Sequence, residues 1–287
     1  STASASQRRA TLLATTLIDD PRGGSMSLQT RDFFQASPAL LTGEQPSASG
    51  AANLIENCLG DVSNKTVLVV CEDPKYGWYD AAAPAAVSEE LRARGARVKQ
   101  LIVGPPQNQP NAVVQTAMNH ADSVVFFARL GDQGRFNLNY KGPTCVMSYA
   151  LNKTMLDGGY GRLDHHAMQM MKIAIDEVTI SACHIKVTCP NGTNFEGTTI
   201  APSTHRGEVI INRFPLGISQ PILNDGFCGK AVLTNYLTPT GSLTYNPEYL
   251  AIDTPVTAHF EGNRITGFTG APDMVAAVEA HYADVAD

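Results

Sequence analysis

No Cys-x-x-Cys pair, no Gly-x-Ser-x-Gly elbow, no lysine- or arginine-rich run and no long apolar stretch occurs in this sequence. Each absence excludes something. Without a nucleophile elbow there is no serine-hydrolase signature. Six scattered cysteines (58, 71, 145, 183, 189, 228) read as small buried residues in a reducing compartment, not as a disulfide frame or a zinc site. Twenty-one basic against 27 acidic residues, a net charge of −6, argue against a nucleic-acid partner held through phosphates. The longest apolar run, Thr66–Cys71, is strand-sized and far below the ~18 residues a membrane span needs. The N-terminus lacks the compact apolar segment of a signal peptide, so a cytoplasmic location is expected and the Asn-x-Thr triplets at 64, 152 and 191 read as chance.

What is present is enough to fold. The 287 residues, 43% hydrophobic and 17% charged, suit about two domains with a sizeable core. Residues 1–48, rich in Ser, Thr, Ala and Gly, read as an arm with one short strand near Thr11–Ile18. Ser49 then caps a short helix with apolar positions 51, 54, 55 and 58, stopped by Gly60. From Lys65 strands and helices alternate. Strands are expected at Val67–Cys71, Val98–Val103, Ser123–Ala128 and Thr144–Tyr149, with helices at Asp80–Arg94 and Ala112–His120 between them. That pattern predicts a doubly wound α/β domain over 49–178, closed by a helix that Asp164 caps. Near Ile180 the period falls to two. Short alternating runs at 180–189, 194–200, 207–213, 231–237, 242–250 and 256–268 predict a β-rich α+β domain over 179–287, ending in a helix from Asp273.

Several constellations could carry chemistry. Gly158-Gly159-Tyr160-Gly161 is the one glycine cluster, but no strand leads into it, so it reads as a turn and not as a phosphate cradle. Asp164-His165-His166 resembles a metal motif, yet adjacent helical residues point ~100° apart, so it reads as a capped first turn. His120-Ala-Asp122 falls at a helix–strand junction. Cys71-Glu72-Asp73 ends the first parallel strand, where open α/β sheets place ligands; its carboxylates could equally bond the next loop's amides.

Leu54-Ile-Glu-Asn-Cys-Leu-Gly60, Lys65-Thr-Val-Leu-Val-Val70, Ala121-Asp-Ser-Val-Val125, Ile185-Lys-Val-Thr-Cys-Pro-Asn-Gly-Thr193 and Gly207-Glu-Val-Ile210, in that order, resemble the thermophilic metallo-aminopeptidase superfamily. That superfamily includes iron-dependent 2,5-dihydroxypyridine dioxygenases. The resemblance implies a metal carboxylate at Glu208, with further ligands in segments expected after Asp287. It therefore implies a truncated relative with no metal and no cofactor, kept for binding. Such relatives resemble those that hold the precursor peptide in crocagin-like ribosomal-peptide maturation. The expectation is a non-catalytic peptide binder, a homodimer or a heterodimer with a related subunit. Candidate contacts are Arg206, Arg213, Phe214, Tyr236, Tyr245 and Tyr249, because aromatics and arginines dominate such surfaces. The alternatives are a metal-dependent aminopeptidase or ring-cleaving dioxygenase whose site other residues or a second chain complete, and a subunit that serves assembly alone.

Overall fold

The computed structural model describes residues 15–19, 25–29, 49–108, 111–133, 141–199, 211–217, 224–238 and 249–284. Two sheets organise them. The first has five strands, β3 (Thr66–Glu72), β4 (Arg97–Val103), β5 (Ser123–Phe127), β6 (Thr144–Ser148) and β9 (Asn212–Phe214), in the order β4-β3-β5-β6-β9. Every pairing in it is parallel. Val67, Val69 and Val70 of β3 are fully buried, as an unbroken apolar run covered on both faces should be. Helix α2 (Ala82–Ala93) packs Ala83, Val87 and Leu91 into that core, one residue per turn. Helix α3 (Ala112–Met118) sets Val114 and Met118 there.

The second sheet is antiparallel, in the order β12-β11-β10-β8-β7-β1-β2. It comprises β1 (Thr15–Asp19), β2 (Ser25–Gln29), β7 (His184–Thr188), β8 (Asn194–Thr199), β10 (Asn224–Leu237), β11 (Leu250–Glu261) and β12 (Arg264–Thr269). Helix α7 (Pro272–Asp284) covers one face, burying Val278 with Ile252 and Val256 beside Met274 and Tyr282. The protein is thus an α/β fold with a parallel sheet flanked by helices and a separate β-rich sheet, as the change of period near Ile180 predicts.

The strands do not divide between the sheets in sequence order. The arm contributes two strands, not one, and β1 pairs with β7. Within the expected 207–213 run the described strand is β9, and it joins the parallel sheet beside β6, not the β-rich one. Residues 242–248 of another expected strand lie outside the described residues.

Between α1 (Gly50–Leu54), which continues as a π-helical turn over Ile55–Leu59, and α6 (His165–Ser181) the chain forms two short helices, α4 (Lys153–Asp157) and α5 (Gly159–Arg162). The glycine cluster is therefore a helical turn, and its role is close packing. A Cβ on Gly161 would stand 2.0 Å from the Leu156 carbonyl oxygen, so only glycine fits. Buried Asn53 of α1 staples this region. Its amide donates to the carbonyls of Gly161 (2.8 Å) and Leu163 (2.7 Å), and its oxygen accepts from the His165 backbone N–H (3.3 Å).

Asp164 caps α6, accepting from the Ala167 N–H at 3.0 Å, as expected. His165 and His166 diverge: His165 is buried against the Phe214 ring and His166 is exposed. Burial lowers the His165 pKa below 6.5, opposed by the Pro215 backbone and by Asp164. The unfolded chain therefore binds this proton more readily than the folded one. Stability should be level above neutrality and fall as pH drops below about 6.5, by at most about 1.4 kcal/mol per pH unit for one proton. Melting temperatures between pH 5 and 8 should show a steeper acid slope in the wild type than in His165→Gln. Equal slopes would refute the assignment.

Of the cysteines, Cys58 and Cys145 are buried as expected, but Cys183, in the bend before β7, and Cys228, in β10, are exposed; all six are free thiols. Burial pushes the Cys58 thiol up to about 12 and Cys71 to about 11, which keeps both unreactive.

Candidate functional site

Five parallel strands in the order 2-1-3-4-5 have one reversal of direction, between the first strand, β3, and the third, β5. Ligands of open α/β sheets sit beyond the carboxyl ends of the strands at that point. Here β3 ends in Glu72, whose side chain is 1% exposed, and β5 is followed by Arg129 at the start of a 3-10 turn, Arg129–Asp132. Glu72 Oε1 accepts from Arg129 Nη2 at 2.7 Å and Nε at 3.1 Å, while Oε2 accepts from the Arg129 backbone N–H at 3.1 Å. Of the two sequence readings of Cys71-Glu72-Asp73, the amide-bonding one describes Glu72 in part and Asp73 as well, which accepts from the Lys75 N–H at 3.1 Å. The Arg129 guanidinium lies 4.5 Å from the ring centre of Trp78, the chain's single tryptophan.

Next to this pair, Asp132 accepts the Tyr149 hydroxyl at 2.8 Å and faces Arg213 Nη2 at 4.0 Å. Tyr149 directly follows β6 and Arg213 lies within β9, so neighbouring strand ends deliver both side chains. Tyr79, buried edge-on to Phe127, donates to the Ser148 carbonyl at 3.1 Å. Its hydroxyl pKa is pushed up, first by burial and then by Asp132, Glu72 and Tyr149, with Arg129 opposing. Arg213 was legible as a candidate. Arg129, Asp132, Tyr149 and Trp78 were missed; the signal that could have found them is position, each lying just past a parallel strand's carboxyl end.

The other sequence-predicted residues lie elsewhere. Arg206, Glu208 and Tyr245 are outside the described residues. Phe214 is fully buried in the parallel-sheet core, so it is no surface anchor: β9 pairs along the edge of β6 and this ring packs beside His165 of α6. Tyr236 and Tyr249 are 62% and 59% exposed. Tyr236 pairs with Ala251 across β10 and β11, and Tyr249, two residues before Ala251, shares that face by alternation. Leu237 and Leu250 point the other way, towards α7. Arg213 and the two tyrosines thus belong to different sheets and do not form one cluster.

Among the described residues no group of three or more His, Cys, Asp or Glu side chains converges to hold a metal ion. Among the same residues no helix is long and apolar enough to cross a membrane.

No known family's sequence profile matches the chain, and no curated protein sequence matches it. Among solved structures, 2,5-dihydroxypyridine dioxygenase from Pseudomonas putida KT2440 is similar in fold. The two share 14% sequence identity at a TM-score of 0.50, over 84% of this chain and 74% of the dioxygenase. The likeness is one of fold alone.

Proposed function

We propose that the protein binds an extended precursor peptide without transforming it, as a step in the maturation of a ribosomally made peptide. The observation that supports this reading most is the pair of exposed tyrosines, Tyr236 and Tyr249, on the face of the β-rich sheet that α7 leaves open. Tyrosine rings offer large contact area with a polar tip and are frequent interface anchors. Beside them lies a strand edge that a peptide could extend. Strand β12 pairs with β11 only from Thr257 onwards, so among the described residues Leu250–Ile252 and Val256 pair on one side alone, with β10, and Asp253, Thr254 and Pro255 between them lie at a bulge. Pro255, which has no N–H to donate, suits such an edge. A peptide added there gains affinity from main-chain hydrogen bonds and needs no catalytic group. Exposed Asp253 in the same stretch, with the net charge of −6, favours a peptide carrying positive charge.

Calorimetry against the precursor peptide encoded beside the protein's own gene tests this. Binding tighter than ~100 μM, about −5.5 kcal/mol, is expected. Tyr236→Ala and Tyr249→Ala should each weaken it by roughly 5- to 30-fold, about 1–2 kcal/mol. The affinity should be the same with a chelator present. Absence of heat, or alanine variants that bind like the wild type, would overturn the reading. A mass change in the peptide on adding a divalent metal would favour the aminopeptidase or dioxygenase alternative.

A further inference from the structure

The crevice beyond the parallel sheet holds a second candidate site, independent of the tyrosine face. Its two arginines differ in how far they are committed. Arg129 is used on all sides: Glu72 takes its Nε and Nη2 hydrogens and Trp78 covers its face. Arg213 is only 11% exposed, yet its Nε is buried without a hydrogen-bond partner. Among the described residues its one ionic neighbour is Asp132 at 4.0 Å, beyond hydrogen-bond reach, and that carboxylate instead shares the single proton of the Tyr149 hydroxyl, 2.8 Å from both its oxygens. A guanidinium carries five N–H donors, and burying it with donors unmet is costly. Buried polar groups are nearly always satisfied, so a donor left over at the sheet's ligand-binding end calls for an acceptor from outside the chain.

The surroundings narrow what that acceptor is. Planar oxyanions match the guanidinium fork, and carboxylate and phosphate both qualify. Asp132 and Glu72 already place two negative charges in the crevice, which disfavours a phosphate dianion, and among the described residues no glycine-rich loop supplies backbone N–H groups there. A monoanionic carboxylate keeps the local charge near balance. Trp78 is 39% exposed beside the same 3-10 turn, offering indole surface to an apolar body attached to the carboxylate.

We propose that this crevice binds an organic carboxylate, with Arg213 as its anchor and Trp78 beside its planar or apolar part. The carboxylate comes either from a small organic acid or from the free carboxyl end of a peptide.

Trp78 is the only tryptophan, so its emission reports on this site alone. Titration with benzoate should give a saturable change in Trp78 emission, and the same concentrations of inorganic phosphate should give none. A short peptide ending in phenylalanine is tested as free acid and as amide. Saturation by the free acid and not the amide assigns the peptide end as a source; saturation by benzoate alone assigns a small acid. Arg213→Lys and Arg213→Gln should weaken benzoate binding at least tenfold. Because the buried Nε makes no hydrogen bond, Arg213→Gln should leave the melting temperature unchanged or higher. No response to benzoate or to the free-acid peptide would overturn the proposal. So would unaltered binding in Arg213→Lys, or a large drop in melting temperature in Arg213→Gln, which would make the arginine structural.

Discussion

Glu72→Ala is expected to destabilise the protein by about 3–5 kcal/mol, the usual result of removing one partner from a buried ion pair. At roughly 2–4 °C per kcal/mol for a chain of this size class, the melting temperature falls by about 6–20 °C. Glu72 is buried at the end of β3, and its loss removes the carboxylate to which the largely buried Arg129 donates from its backbone N–H and its side chain. The net worth of the pair is much smaller than the cost of breaking it, since desolvating two charges offsets most of their attraction. Glu72→Leu combined with Arg129→Met should therefore recover most of the loss. Urea unfolding of the single and double variants measures this, and a single variant within 1 kcal/mol of wild type would show the carboxylate to be dispensable.

Phe214→Ala should cost about 3–5 kcal/mol, the range for deleting a buried aromatic ring. The ring is fully buried, fills space between the parallel sheet and α6, and lies 5.9 Å from the His165 ring. Tyr236→Ala and Tyr249→Ala, by contrast, should stay within about 0.5 kcal/mol, as exposed positions do. Thermal melts of the three variants check the separation. Similar losses for all three would mean that the tyrosines are structural, which would also remove the support for peptide binding.

Of the four aromatic candidates chosen from sequence, the three among the described residues divide into one core residue and two surface residues. Phe214 sits in a strand of three residues, too short for any period to show, and its pairing with β6 crosses more than sixty residues of chain. Local pattern could not place it. Strand β3 was legible because Val67–Val70, buried on both faces, leave a continuous apolar run. The Asp164 cap was legible because capping acts over three residues, whereas the burial of His165 depends on Asn53 and Phe214, distant in the chain. Glu72 was visible as a carboxylate at a strand end, but its partner lies 57 residues away. Sequence pattern reports the elements; it is silent on which strand ends become neighbours.

The interleaving of the two sheets has a consequence for how the protein is made. When β6 leaves the ribosome, the strand that will cover its open edge is about 64 residues from being synthesised, which at ~5–20 residues per second is roughly 3–13 s. The wait of β1 for β7 is longer, about 165 residues and roughly 8–33 s. Neither sheet can finish while the other is absent, so cleaving the chain near residue 178 would leave β6 without its neighbour and β1 without its own. An uncovered strand edge is a template for pairing with other chains. For a newborn chain the open edge of β6 is thus exposed longest when synthesis is slow, and the hazard ends only once residue 214 has emerged.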